Sequence, residues 1–245
     1  MQNSHEPYYL AYEHRYQKAY EAGMERWGHS PEDESLLEAL TKWVDAHRLQ
    51  GKRIIEFACG EGACGEILSR LGCVYHGVDI APTGLETARR ALAPWPDATV
   101  SLLDMVNDRI PGTYDAALDC MGFHMLVTDS DRQKYLRNAF SCLEPGAPML
   151  FFRESYRRDA YAGTVDSYEQ WQAISGSDYA IPRKMTSVHN GCGIEVDIPL
   201  VAARARRKSG YIKEMTDTGF VVDSFVKMKT DMQINSSASI YVHKP

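Results

Sequence analysis

Short apolar runs alternate with amphipathic stretches along most of this chain. Runs of the kind that strands buried on both faces show occur at 53–58, 74–80, 99–105, 114–121 and 147–153. Between them, apolar side chains recur every three or four residues, as on the buried face of a helix. Two more apolar runs, at 220–228 and 239–243, follow near the C-terminus. The pattern therefore predicts an α/β fold, with a doubly wound, seven-stranded and mostly parallel sheet.

The segment 52–92 reads as one strand–turn–helix–strand–helix unit. Its first strand ends in a glycine-rich turn with the spacing Gly60-x-Gly62-x-x-Gly65, and Asp79 lies at the end of its second strand. Open α/β sheets bind ligands at the carboxyl ends of their strands. We therefore expect the turn and Asp79 to share one crevice.

Two cofactor chemistries fit this crevice. The Gly60-x-Gly62-x-x-Gly65 spacing matches the dinucleotide fingerprint, and Asp79 lies near the ~20-residue offset of a ribose-binding acid. A NAD-dependent oxidoreductase that uses the 60–65 turn is therefore one hypothesis. Glu56 argues against it, because a carboxylate just before the turn repels a pyrophosphate but attracts a ligand with an ammonium group.

The same residues resemble a second family. The sequence EFACGEG at 56–62 is similar to the first motif of the class I S-adenosylmethionine-dependent methyltransferases of the small-molecule type, and GVDIAP at 77–82 is similar to their second motif. The sequence YDAALD at 114–119 resembles their fourth motif. In that family the last strand is antiparallel and lies between strands five and six, which the two C-terminal runs fit. The resemblance implies S-adenosyl-L-methionine as the cofactor and S-adenosyl-L-homocysteine as the product.

The resemblance also implies the cofactor contacts. The glycine-rich turn would pass under the methionine part, Asp79 would accept the ribose hydroxyls, and Ile80 would pack on the adenine. Asp104 would accept the adenine amino group, although a capping or turn role for Asp104 stays open. The full predicted set is Glu56, Ala58, Gly60, Gly62, Asp79, Ile80, Asp104, Met105, Asp119 and Tyr20, and no metal site is predicted.

His124 is the candidate general base. The segment 119–124 leaves the fourth strand where a methyl acceptor would approach the sulfonium, and an unperturbed imidazole titrates near neutrality. A single histidine is more often a packing residue, so a structural role stays open. A base is needed only when the acceptor arrives protonated.

Two segments outside the core pattern are candidates for covering the acceptor. Tyrosines recur at helical spacing within residues 1–29, which predicts either a lid over the cofactor or a helix packed on the sheet edge. An insertion at 154–207 is rich in arginine and tyrosine and contains a hairpin at 185–198 around Asn190-Gly191. It would cover the substrate, form a dimer or serve the structure alone. The candidate acceptor contacts are Tyr16, Phe123, Arg153, Tyr156 and Trp171.

We interpret residues 1–245 as a single domain. A helical cap occupies 1–50, the Rossmann-like core occupies 51–153 and 208–245, and the insertion occupies 154–207. Within the cap, Ser30 followed by Pro31 predicts the start of a helix.

Composition narrows the set of partners. The 33 acidic and 27 basic residues give a formal charge of −6, which disfavours a broad nucleic-acid-binding face. The six cysteines form no CxxC pair and no secretion signal is recognised, so we expect a cytoplasmic location. No apolar run of about 20 residues is recognised either, so we expect no membrane contact. The leading hypothesis is methyl transfer to O, N or S of a small molecule by in-line displacement, in a monomer or a homodimer. A NAD-dependent oxidoreductase and a methyltransferase acting on protein or RNA are the alternatives.

Overall fold

The predicted alternation of helices and strands is present in the computed structural model, which describes residues 6–189, 192–228 and 236–245. The helices are α1 (Ala11–Glu21), α2 (Glu34–His47), α3 (Ala63–Arg70), α4 (Pro82–Leu92), α5 (Asp129–Ser141), α6 (Tyr168–Ser175) and α7 (Lys208–Thr218). The strands are β1 (Arg53–Phe57), β2 (Val74–Asp79), β3 (Ala98–Leu102), β4 (Ala116–Cys120), β5 (Pro148–Ser155), β6 (Arg183–His189), β7 (Cys192–Ile198), β8 (Val221–Met228) and β9 (Ser237–His243). Among the helices of the described ranges, none combines the length and the apolar character that crossing a membrane requires.

The large sheet has the order β3-β2-β1-β4-β5-β9-β8, which confirms the predicted seven strands. The pairs from β3 to β5 are parallel, whereas β9 is antiparallel to both β5 and β8. The last strand therefore lies between β5 and β8, as the resemblance implies. The strand order reverses between β1 and β4, and this switch point leaves a crevice at the carboxyl ends of the strands.

Helices cover both faces of the large sheet. Successive side chains of a strand point to opposite faces, so Ile54 packs with α2, α3 and α4 while Ile55 packs with α5 and α7. Both side chains are fully buried. This double burial explains the continuous apolar runs, and each such side chain contributes about 1.5–3 kcal/mol.

The second helix of the cap, α2, begins later than the sequence predicts. The carboxylate of Asp33 accepts a hydrogen bond from Leu36 N at 3.0 Å and caps the helix. The hydroxyl of Ser30 instead accepts from Glu32 N at 3.1 Å. The prediction that Ser30 starts the helix was wrong because the segment 30–33 forms a turn, closed by Asp33 N and Ser30 O at 3.1 Å.

The insertion contains α6 and a separate two-stranded sheet. Strands β6 and β7 pair in antiparallel fashion from Arg183 opposite Ile198 to His189 opposite Cys192, which confirms the hairpin. The predicted Asn190-Gly191 turn lies outside the described residues. The end of the hairpin reaches the cap, since Arg15 Nε donates to Pro199 O at 3.0 Å.

Candidate active site

A cavity of about 1020 Å³, including its open mouth, lies at the carboxyl ends of β1, β2 and β4. The core contributes Glu56, Ala58, Cys59, Gly60, Glu61, Ala63, Cys64, Val78, Asp79, Ile80, Leu103, Asp104, Met105, Cys120, Met121, Gly122, Met125 and Leu126 to the lining. The cap contributes Tyr9, Tyr12, Tyr16, Trp27, Gly28 and His29.

The glycine-rich turn and Asp79 meet in this cavity, as predicted. The Asp79 carboxylate accepts hydrogen bonds from Gly60 N and from Ala81 N, each at 2.8 Å. Burial raises the pKa of Asp79, and these backbone donors oppose that effect. Gly60 has a φ of 52°, and a Cβ there would lie 2.5 Å from the hydroxyl of Tyr16. The turn therefore needs glycine at this position for both conformation and space.

Strained backbone accompanies the strand ends. Ala58 after β1, Met121 after β4 and Arg153 at the bulge of β5 have φ values of 52°, 65° and 58°. A non-glycine residue in this region costs of order 1–3 kcal/mol, and such residues cluster at functional sites. Two of the three, Ala58 and Met121, line the cavity.

Glu56 is a buried carboxyl on the cavity wall. Its side chain is 1% exposed and accepts a hydrogen bond from the Tyr75 hydroxyl. Burial raises the pKa of Glu56 to about 8. A cationic group entering the cavity would therefore stabilise the ionised form of this carboxyl.

Glu61, which the sequence analysis did not single out, fastens the cap to the glycine-rich turn. Its carboxylate accepts hydrogen bonds from Tyr20 Oη at 2.5 Å, Trp27 N at 2.8 Å and Gly28 N at 2.7 Å. Glu61 is 3% exposed. Since its partners lie 33 to 41 residues away in the chain, no local pattern marks the role.

Glu13 provides a second link between the cap and the core. Its carboxylate accepts hydrogen bonds from Thr83 N at 3.0 Å and from the Thr83 hydroxyl, at the start of α4. A carboxylate at a helix N-terminus is favoured by the helix dipole. The cap is therefore held over the cavity by buried acids on both sides of the contact.

Most of the predicted cofactor residues lie in the lining, and a few do not. The residues in the lining are Glu56, Ala58, Gly60, Asp79, Ile80, Asp104 and Met105. Gly62 is instead the N-cap residue of α3, and Tyr20 Oη donates a hydrogen bond to Glu61. Asp119 is fully buried, and its carboxylate accepts from Gly122 N at 2.7 Å and Tyr135 Oη at 2.5 Å. Its position thus supports a role in holding the loop after β4.

Asp104 already has partners in the protein. Its carboxylate accepts from Tyr9 Oη at 2.9 Å, Val106 N at 2.8 Å and Asn107 Nδ2 at 2.8 Å. These bonds agree with the turn role that the sequence left open. The adenine contact stays a prediction, because Asp104 also lines the cavity.

His124 is placed differently from what a general base requires. It is 2% exposed and is not part of the cavity lining. The 3₁₀ turn Phe123–Met125 directs its ring into the protein, where Nδ1 lies 2.9 Å from Glu154 Oε2. Burial lowers the pKa of His124 to about 4 and raises that of Glu154 to about 8. The catalytic role of His124 stays a prediction that this position does not support.

Of the predicted acceptor residues, Tyr16 lines the cavity. Phe123 is fully buried in the core, and Tyr156 packs on Phe225 with ring centroids 5.4 Å apart. Trp171 packs in a separate small cluster with Val127, Val165 and Ala202.

Arg153 acts through a neighbour instead of through the cavity wall. Its guanidinium donates to Asp33 at 2.8 and 3.1 Å, and Nη1 lies 3.2 Å from His29 Nδ1. His29 lines the cavity. The histidine that faces the site is therefore His29, which sequence reasoning missed because the turn 28–29 carries no motif.

The fold and the site define a class. A glycine-rich turn after β1, an acid at the end of β2 and a crevice at the switch point belong to Rossmann-like, cofactor-binding α/β proteins. The profile of the family described as "Methyltransferase domain" matches residues 54–146, the part of the chain that contributes β1 to β4.

Comparison with known proteins identifies the family. The chain is 32% identical to the ubiquinone biosynthesis O-methyltransferase of Burkholderia pseudomallei, over 74% of the chain and 81% of that protein. It is 25% identical to YqeM of Bacillus subtilis, which is provisionally named a methyltransferase, over 63% of the chain. The chain therefore spans 64%, or less than two thirds, of that relative's length. The magnesium protoporphyrin IX methyltransferase structure from Synechocystis, with bound S-adenosylmethionine, has a TM-score of 0.65 at 13% identity and covers 100% of both chains. At this identity the structural likeness supports the fold.

The chain belongs to the class I S-adenosylmethionine-dependent methyltransferases. The resemblance noted at 56–62 and 77–82 is thereby confirmed. Nothing in the comparisons supports the NAD-dependent alternative.

Proposed function

We propose that the protein transfers the methyl group of S-adenosylmethionine to an O, N or S atom of a small molecule by in-line displacement. The observation that carries this proposal is the cavity in which the turn and acid of the core face an aromatic wall from the cap. The cofactor would occupy the core side, and the acceptor would enter beneath the cap.

The residues of the core side fit the cofactor by chemical kind. Asp79 offers a carboxylate to the ribose hydroxyls, and Glu56 offers one to the ammonium group. Ile80, Leu103 and Met105 offer apolar surface to the adenine. The bends at Ala58 and Gly60 bring peptide groups to the cavity surface, where the methionine part can approach closely.

The cofactor, when bound, supplies a methyl group on a sulfonium, which is already a good electrophile. The protein therefore has to align the acceptor and exclude water. Correct orientation contributes up to roughly 7–11 kcal/mol. The cavity wall on the cap side consists of Tyr12, Tyr16 and Trp27, and the loop after β4 contributes Met121 and Met125 to the lining.

The closed cap favours a small-molecule acceptor rather than a protein or an RNA acceptor. The links through Glu61 and Glu13 hold α1 across the cavity. A macromolecular substrate would need an open cleft and a larger basic surface than a charge of −6 provides. The names of the ubiquinone-biosynthesis and protoporphyrin relatives point the same way.

Calorimetric binding of S-adenosylhomocysteine and of NADH tests the cofactor half of the proposal. We expect S-adenosylhomocysteine to bind the wild type and Asp79→Ala to weaken it roughly 10- to 100-fold, because hydrogen bonds to a charged group are each worth about 1.5–3 kcal/mol. Asp97→Ala, an exposed aspartate before β3, should bind as the wild type does. Binding of NADH in place of S-adenosylhomocysteine would refute the proposal.

Three further expectations remain predictions. They are the cytoplasmic location, the homodimer and the division of the chain into a cap, a core and a substrate-covering insertion. The contact of Arg15 with Pro199 supports the idea that the insertion steadies the cap.

A further inference from the structure

The acceptor side of the cavity contains two hydrogen-bond donors whose partners are sulfur atoms. Tyr12 Oη donates to Met125 Sδ at 3.3 Å, and His29 Nε2 lies 3.0 Å from Met121 Sδ. All four side chains line the cavity. A thioether is a weak acceptor, so either donor gains by exchanging its sulfur for an oxygen.

Arg153 determines where His29 holds its hydrogen. A guanidinium can only donate, and Arg153 Nη1 lies 3.2 Å from His29 Nδ1. Nδ1 therefore accepts, and the neutral ring has its hydrogen on Nε2. The protonated ring also has a hydrogen there, so Nε2 is a donor in either state. The sulfur of Cys120, which also lines the cavity, interacts with His29 as well.

Each donor is backed by a permanent cation. The guanidinium carbon of Arg15 lies 5.4 Å from the centroid of the Tyr12 ring, and Arg153 contacts His29 directly. Arg153 is held in place by Asp33. A positive charge behind a donor strengthens its bond to an oxygen that bears negative charge.

The rest of this end is apolar, with Trp27, Met121, Met125 and Leu126 in the lining. The acids of the lining belong to the core elements that face the cofactor, such as Glu56 on β1 and Asp79 on β2. The acceptor side thus combines an apolar body with two donors.

We propose that Tyr12 and His29 bind the methyl acceptor, and that the acceptor is a small, mainly apolar molecule with an enolic, phenolic or carbonyl oxygen. This inference rests on the proposed methyl transfer and narrows its acceptor from O, N or S chemistry in general to oxygen-bearing compounds. The oxygen replaces a methionine sulfur as the partner of each donor.

Matched pairs of small probes test the assignment. Phenol and toluene, and acetophenone and ethylbenzene, are titrated by NMR into the complex with S-adenosylhomocysteine. We expect the oxygen-bearing member of each pair to bind the wild type at least about 3-fold more tightly. Tyr12→Phe and His29→Leu should each weaken that member by about 2- to 10-fold and leave the hydrocarbon unchanged, as for loss of one hydrogen bond.

Three controls complete the experiment. His29→Gln keeps an N–H donor and should recover part of the affinity that His29→Leu loses. Tyr161→Phe, whose side chain is exposed at the surface, should behave as the wild type. Every variant should bind S-adenosylhomocysteine with unchanged affinity, since neither donor is assigned to the cofactor.

The possible failures can be told apart. If the wild type does not bind S-adenosylhomocysteine, the proposed function itself fails and the acceptor assignment fails with it. If S-adenosylhomocysteine binds but the members of each pair bind equally, the acceptor assignment alone is overturned. Wild-type affinity for phenol and acetophenone in Tyr12→Phe would overturn it as well, and this variant keeps the ring and its packing.

Discussion

Replacing Glu56 by glutamine should stabilise the protein and weaken cofactor binding at the same time. Glu56 is 1% exposed, and its carboxyl keeps the hydrogen bond from Tyr75 whether it is protonated or replaced by an amide. The glutamine side chain has the same shape. The substitution therefore removes one titratable group with little change in packing.

The size of the effect follows from the pKa of Glu56. Burial raises this pKa from 4.5 to about 8, so at pH 7 the native carboxyl must hold a proton that the unfolded chain has released. Each pH unit between 4.5 and 7 costs the native state about 1.4 kcal/mol, or about 3 kcal/mol in all. Because the native pKa is raised, this loss grows as the pH rises from about 4.5 and levels off above about 8.

Urea denaturation at pH 5, 6, 7 and 8 measures the free energy of unfolding. We expect Glu56→Gln to exceed the wild type by about 3 kcal/mol at pH 7 and by much less at pH 5. A variant that is less stable than the wild type at pH 7, or that keeps the wild-type pH dependence, would show that Glu56 is not a desolvated carboxyl.

Calorimetry supplies the functional half of the same prediction. If Glu56 meets the ammonium group, Glu56→Gln should weaken S-adenosylhomocysteine roughly 10- to 100-fold at pH 7, through loss of a charge-assisted hydrogen bond. Glu154→Gln is the matched control, since burial raises the pKa of Glu154 to about 8 as well but Glu154 lies outside the cavity lining. It should alter the pH dependence of stability and leave the cofactor affinity unchanged.

Three other changes probe the cap, the core packing and acid stability. Glu61→Ala should speed hydrogen exchange in the cap by about 100-fold, because three partly buried donors lose a charged partner worth about 3 kcal/mol. Exchange at the wild-type rate would contradict this. Gly65→Ala should lower the free energy of unfolding by about 1–3 kcal/mol, because its Cβ would lie 2.6 Å from the Tyr75 ring, and urea denaturation measures it. Burial raises the pKa of Asp33, but hydrogen bonds from Arg153 and the backbone outweigh burial and lower this pKa below its ordinary value. The Asp33 carboxylate therefore stabilises the fold at pH values above the unfolded pKa near ~3.9, and this stabilisation is lost as the pH falls through the lower native pKa. The stability of Asp33→Asn, followed by denaturation from pH 6 down to pH 2, should therefore fall less steeply with acid than that of the wild type.

Local patterns predicted the parts of the site that lie at strand ends. The turn at Gly60 and the acid at Asp79 follow directly from two short apolar runs, and parallel strands bring their carboxyl ends to one edge. The position of His124 just after the fourth strand likewise predicted that its backbone lies near the site, but it did not predict the direction of the imidazole ring. The 3₁₀ turn at Phe123–Met125 directs that ring toward Glu154, and no periodicity in the sequence marks a single turn of this kind.

Local sequence patterns could not predict the contacts between segments that lie far apart in the chain. The bond from Tyr20 to Glu61 spans 41 residues, and the contact of Arg153 with His29 spans 124. The tyrosine spacing predicted that one face of α1 is aromatic, but it did not predict which part of the protein that face contacts. The aromatic residues of the insertion resemble substrate contacts in the sequence, but the sequence did not indicate that Trp171 packs with Val127, Val165 and Ala202 or that Tyr156 packs on Phe225.

The family resemblance implied the antiparallel last strand. Local patterns in the chain predicted the order of helices and strands, the seven-stranded sheet, and the meeting of the glycine-rich turn with Asp79. These features depend on apolar periodicity and on turns, which act over a few residues. Only the folded structure shows that Glu61 and Glu13 join the cap to the core, and that Tyr12 and His29 line the cavity. The physical reason is that a buried polar group takes whichever partner the fold brings within about 3 Å, and that partner has no fixed distance along the chain.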